Sequence, residues 1–207
     1  MATGSPRTST FRFPQAVKGE IDVSKLIAFE QVSLDGYFVD SNGDMSWAHK
    51  DDQESKDFAA KSASGGGVLV FGRVTYEMMA SYWPSPVAAE QNPAVAAAMS
   101  KHPKIVFSRT LDEVTWENTK LIKGDLTVEI RKLKNLSDLD LVILGSGTIV
   151  SQLAEADLID EYQLIVNPIV LGSGRTLFEG VDHKLPLNLT SSRVFKNGNV
   201  LLHYTTN

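Results

Sequence analysis

Short, wholly apolar runs recur along the chain, each closed by a turn residue, with helically spaced segments between them. Val68–Phe71 (VLVF) ends at Gly72, and Lys104–Phe107 (KIVF) ends at Ser108-Arg109. Such runs suit strands covered on both faces. Lys25–Val32, Leu139–Leu144 and Glu161–Asn167 read as strands too, and Trp116–Ile122 as a weaker one. Between them, apolar residues fall at helical spacing over Asp51–Ser62, Val74–Tyr82 and Thr148–Ala156. Asn92-Pro93 and Asp125 mark two further helix starts. Pro84–Gln91 reads as a loop. The chain closes with a hairpin over Leu187–Thr205, turned at Asn197-Gly198.

Strands alternating with helices and followed by a hairpin predict an α/β fold. Its central sheet is expected to be mostly parallel with an antiparallel edge. The 207 residues suffice for one domain plus a short arm. Residues 1–24, rich in Ser, Thr, Pro and Gly, read as a flexible N-terminal extension, and residues 25–207 as the domain.

A net charge of −5 gives no global positive field for a nucleic acid. No apolar run approaches the roughly 20 residues that cross a bilayer. With no cysteine, thiol catalysis and cysteine-ligated metals are excluded, and the histidines show no metal-ligand spacing. The expectation is a cytoplasmic protein that takes a small-molecule substrate and binds neither nucleic acid nor membrane. A homodimer is expected as well.

The candidate chemistry lies in three turns at strand ends: Gly72-Arg73-Val74-Thr75, Ser108-Arg109-Thr110 and Gly145-Ser146-Gly147-Thr148. In open α/β sheets, ligands bind beyond the carboxyl ends of the strands. The first and third turns lead into helices, whose free N–H groups and positive dipole ends suit phosphate. Arg73 and Arg109 add forked donors. LGSG occurs twice, at 144–147 and 171–174. A helical run follows only the first, so the second reads as a loop that reshapes a strand edge. Neither a Rossmann GxGxxG nor a Walker A motif is present.

FGRVTYE (71–77), FSR (107–109), LGSGTI (144–149), DEYQLIVNPIVLGSGRTLF (160–178) and VSLDGY (32–37) occur in an order and spacing that resemble the dihydrofolate reductase-like superfamily. The closest likeness is to the C-terminal reductase domain of the riboflavin-biosynthesis deaminase-reductase. The resemblance covers about Leu26 to Tyr204. It implies a three-layer sandwich with NADPH across the C-terminal edge of the sheet, and an enzyme that transfers a hydride to a small heterocyclic or carbonyl substrate.

By the same resemblance, Gly72, Arg73, Val74 and Thr75 hold cofactor phosphates. Ser108 and Arg109 meet the 2′-phosphate; Gly145, Ser146, Gly147, Thr148 and Ile149 wrap the pyrophosphate. Ala28, Phe29 and the Ser33–Gly36 loop flank the nicotinamide; Phe29, Trp47 and Leu144 line the substrate. Asp52, with Asp35 as rival, falls where a pocket carboxylate is expected, although an acidic first turn also complements a helix dipole.

Three departures bear on the substrate. Lys101-His102-Pro103-Lys104 stands where dihydrofolate reductases carry a folate-gripping Arg, the 162–167 strand lacks their pterin-contacting Thr, and Leu144 replaces an acid common in the riboflavin-pathway enzymes. Dihydrofolate reductase and a non-catalytic NADPH-binding module remain the alternatives.

Overall fold

The computed structural model describes residues 23–207; the expected N-terminal extension otherwise lies outside the described residues. Eight strands form one sheet in the order β5-β4-β3-β6-β1-β7-β10-β9. They are β1 (Leu26–Ser33), β3 (Val68–Gly72), β4 (Lys104–Phe107), β5 (Thr119–Ile122), β6 (Leu141–Leu144), β7 (Glu161–Asn167), β9 (Leu187–Val194) and β10 (Val200–Thr206). The first six pair in parallel, while β10 runs antiparallel to both β7 and β9. The expected mostly parallel sheet with a terminal antiparallel hairpin is therefore present.

Alternation along the strands divides the core. Leu26, Ala28 and Val32 of β1 pack with Ile130 and Leu133 of α5 (Leu126–Leu136) and with Ile149, Val150 and Leu153 of α6 (Gly147–Glu155). Leu69, Phe71 and Val106 point the other way, to Tyr76 of α2 (Arg73–Tyr82) and Val95 and Met99 of α4 (Pro93–Lys101). Phe29 faces α1 (Gln53–Ala63) on that second side, stacked on Phe58 with ring centroids 6.3 Å apart. Helices thus cover both faces, which makes the sheet the middle of three layers.

Some local features were not evident from hydropathy. Pro86–Gln91 is a short helix, α3, where a loop was expected. The Ser85 side chain accepts from Ala88 N–H and Pro86 fills the first helical position, a start signal obscured by the short run that follows. The strand expected from Trp116 begins only at Thr119, because Asn118 takes a positive φ of 57°. Tyr37–Val39 (β2) and Arg175–Thr176 (β8) form a separate two-stranded antiparallel pair. The hairpin turn is fixed to α1: Arg193 reaches Glu54 at 2.8 Å, and Asn197 Nδ2 donates to Asp52. Among the described residues no helix is long and apolar enough to cross a membrane.

Candidate cofactor and substrate site

The strand order sets β6 between β3 and β1, so turns more than seventy residues apart in sequence become neighbours. The Gly72 N–H donates to Ser146 Oγ at 3.1 Å, tying the β3–α2 turn to the β6–α6 turn. Ser146 holds a left-handed conformation (φ 80°) directly after Gly145 (φ 62°). For a residue with a Cβ this costs about 1–2 kcal/mol, and the hydrogen bond from Gly72 helps to hold it. A Cβ on Gly145 would stand 3.3 Å from Thr75 Cγ2, and one on Gly72 3.3 Å from Ile149 Cγ1. The N-termini of α2 and α6 therefore meet at one place on the strand-end edge, where the sequence reading placed its candidate anion site.

Not every expected cation points there. Arg73 lies along α2, paired with Glu77 at 3.0 Å, with both side chains about half exposed. Val74 is largely exposed. Ser108 accepts from Thr110 N–H and Leu111 N–H and so shapes the turn that carries exposed Arg109, beyond β4 on the next strand over.

One cation that the sequence reading missed does reach this place. Arg175, directly after the second LGSG, donates from Nη2 to Thr148 Oγ1 at 3.2 Å, in the first turn of α6. Its guanidinium lies 5.5 Å from the Phe38 ring centroid. Phe38 in turn sits so close to Gly147 that any Cβ there would fall 2.6 Å from its ring. Asp35 explains the position of this loop: its carboxylate accepts from Leu171 N–H and Gly172 N–H as well as from Ser33 Oγ. At Gly174 a Cβ would lie 2.1 Å from the Val39 carbonyl oxygen, so only glycine admits the β2–β8 pairing. The second LGSG is a loop, as expected, and it delivers Arg175 to the first. The spacing of GSGR offered a signal, but only the topology shows where it leads.

The two carboxylates expected to act in catalysis are both heavily hydrogen-bonded. Asp52 is the N-cap of α1 and accepts from Ser55 N–H, from Ser55 Oγ and from Asn197. The Ser55 N–H and then the Asn197 amide hold its pKa below the ordinary value. The Ser33 hydroxyl, followed by the Gly172 and Leu171 N–H groups, lowers Asp35 to about 2. Both are acceptors that stay ionised at neutral pH, a poor state for proton donation. Trp47 is partly buried in a short 3-10 turn (Ser46–Ala48), its Nε1 donating to Asp44 O. Leu144 ends β6 on the α2 side, whereas Ala28 is fully buried within β1, paired with Ile143 on one side and Tyr162 on the other.

A second residue missed in the sequence is Glu30. It is only 3% exposed, on the central strand. Burial alone pushes its pKa well above the carboxylate range, and Oε1 has no hydrogen-bond partner among the described residues.

Three-layer packing around a mostly parallel sheet, with paired helix N-termini at its C-terminal edge, defines a dihydrofolate reductase-like α/β domain. In agreement, a dihydrofolate reductase from Enterococcus faecalis complexed with NADP(H) superposes with a TM-score of 0.60 at 20% identity, covering 88% of this chain and 96% of that one. The chain belongs to the RibD C-terminal domain family, whose model matches residues 24–201. A Shewanella sp. PV-4 protein named for riboflavin biosynthesis is 28% identical with a TM-score of 0.67, over 88% of this chain and 99% of that one. The uncharacterized protein YyaP of Bacillus subtilis (strain 168) is 27% identical over 177 residues, 85% of this chain and 92% of YyaP.

Proposed function

We propose that the protein is an NADPH-dependent reductase of the riboflavin-biosynthesis type that acts on a small heterocyclic or carbonyl substrate. The observation that carries this reading is the junction of the α2 and α6 N-termini through Gly72 N–H and Ser146 Oγ, with Arg175 on Thr148. Free N–H groups, tight glycine turns and one guanidinium suit a dinucleotide diphosphate. Family membership and the NADP(H)-bound structural neighbour support the same choice of cofactor.

When bound, the cofactor supplies the hydride; the residues of the chain bind, orient and exclude water. Gly145–Thr148, Gly72 and Arg175 hold the diphosphate. Ser108 and Arg109, one strand further out, take the 2′-phosphate. Phe29, Phe58 and Phe195 form an apolar wall on the α1 side against which a flat ring can stack: Phe58 and Phe195 meet edge to face, centroids 5.3 Å apart. Asp52 and Asp35 hold this frame in place, one fixing α1 to the hairpin, the other fixing the loop that carries Arg175.

Folate is the weaker substrate candidate. Lys104 is buried against α4 and His102 faces the carbonyls of Ala63 and Gly67, so neither is presented to a folate tail. Steady-state NADPH oxidation across pyrimidines, pteridines and small carbonyls tests the reading. Turnover is expected with a ribosylaminopyrimidine and not with dihydrofolate. Turnover of dihydrofolate would favour the alternative, and turnover of nothing that the panel holds would favour a cofactor-binding module.

A further inference from the structure

Alternation along β7, β10 and β9 sorts their side chains onto two unlike faces. On one, Ile165, Leu201 and Phe195 pack with Phe29 and with Phe58 of α1. Gln163, His203, Ser191 and Arg193 share that face by register, and Arg193 turns back onto Glu54 and the Phe195 ring. Polar side chains around a small covered core are what a sheet edge in water requires.

The opposite face does not follow that pattern. Register aligns Val166 with Val200 and Val194, and Tyr162 with Tyr204 and Leu189. No charged side chain stands on this face of β7, β10 or β9. Its inner end joins the core beneath α5 and α6. The cover stops there: Val166, Val200 and Tyr204 are only partly buried, and Leu189 and Val194 are 56% and 72% exposed. Three strands about 4.8 Å apart and seven residues of about 3.4 Å long span roughly 14 by 24 Å. Contiguous apolar surface on that scale marks a contact site, unlike single scattered side chains.

The chemistry of the patch selects its occupant. A lipid surface or a nucleic acid calls for Lys or Arg beside the apolar residues, and this face has neither. A charged protein partner calls for a counter-charge, which is absent too. The occupant is therefore itself flat, apolar and uncharged. The chain carries a net charge of −5, so two copies repel except where both present neutral surface. Two-fold symmetry sets a patch against its own copy, so the patch must be complementary to itself. A patch of one charge sign fails that condition, and this one meets it. Two such sheets stacked about 10 Å apart would cover each other.

We propose that the protein is a two-fold dimer in which the β7–β10–β9 face of one copy packs on the same face of the second, with Leu189 and Val194 inside the contact. The contact lies on the α5–α6 side of the sheet, opposite the Phe29–Phe58 wall, so each copy keeps that wall open. The inference does not depend on the cofactor reading.

Sedimentation equilibrium of the full chain at micromolar concentration tests it. The unaltered protein should show twice the mass of the chain. Val194→Glu buries an unpaired carboxylate from each copy and should raise the dimer dissociation constant about a hundredfold or more. Val128→Glu, on the exposed side of α5, should leave the dimer as it is. Should Val194→Glu not fold, Ser192→Cys decides. The chain has no cysteine, so maleimide labelling of this variant reports on that face alone. Labelling should slow as protein concentration rises, whereas that of Val128→Cys should not. A monomeric unaltered protein, an unchanged dimer in folded Val194→Glu, or labelling of Ser192→Cys that is indifferent to concentration overturns the proposal.

Discussion

Arg175→Ala is expected to weaken NADPH binding by roughly 10- to 100-fold, the loss typical of one charge-assisted phosphate contact. Arg175 sits at the first turn of α6, where the helix presents its positive end. A guanidinium there is disfavoured unless an anion completes the arrangement. Its ion pair with Glu179 is long, 3.5 Å, and both side chains are more than half exposed, so that pair offsets little. The chain nevertheless builds a rigid mount for it. Asp35 clamps Leu171 and Gly172, glycine is required at 174, and the Phe38 ring lies alongside the guanidinium. Titrations at low and high ionic strength check this. The unaltered protein should lose affinity as salt rises, and Arg175→Ala should lose less, because one screened contact is gone. Arg131→Ala, on the exposed side of α5, should match the unaltered protein. An unchanged affinity in Arg175→Ala would take Arg175 out of the site.

Lys104→Met should destabilise the fold by about 3 kcal/mol, since a buried charged donor with three acceptors is lost. Lys104 is 1% exposed, and Nζ donates to the carbonyls of Met99, Ser100 and His102. These carbonyls end α4 and have no other backbone donor in the helix ladder. The ammonium also lies 4.4 Å from the Trp116 ring centroid. Burial lowers its pKa from 10.5 to about 8, against an opposing effect of Glu117. The sign of the pH dependence follows. Between about pH 8 and 10.5 the unfolded chain holds the proton and the folded chain has lost it, so the lysine's contribution to stability rises with pH across that window. Below pH 8 both states are protonated and the contribution is constant. Chemical denaturation at pH 7 and pH 10 separates the cases: Lys104→Met should show the lower midpoint at pH 7 and lack the lysine's upward slope. A midpoint equal to that of the unaltered protein would show that the α4 carbonyls do not need the lysine.

Much of this architecture was legible in the sequence because the strands that matter are short, apolar and closed by turn residues. VLVF and KIVF could hardly be anything but covered strands, and an Asn-Gly turn between two β-prone runs specifies a hairpin. The two adjoining turns proposed to hold phosphate were legible for the same reason, since glycine and serine at a strand-to-helix junction are a local signal. What remained hidden was non-local. Arg175 follows an LGSG without a helix behind it, and only the sheet order together with Asp35 shows that it reaches Thr148. Glu30 stands in LIAFEQVS, where alternation alone does not show that a carboxylate takes a fully covered position. Asp52 drew attention as a carboxylate near an active-site loop, yet a helix cap and a pocket acid look identical until the partners Ser55 and Asn197 are seen.

The central claim is an NADPH site at the strand-end junction, and calorimetric titration of NADPH and NADH into the unaltered protein and Arg109→Ala tests it most directly. The unaltered protein should prefer NADPH by about tenfold or more, as expected for a guanidinium on the 2′-phosphate. Arg109→Ala should bring the two within about threefold, mainly by weakening NADPH. Binding of neither dinucleotide, or a preference that Arg109→Ala leaves intact, would contradict the account.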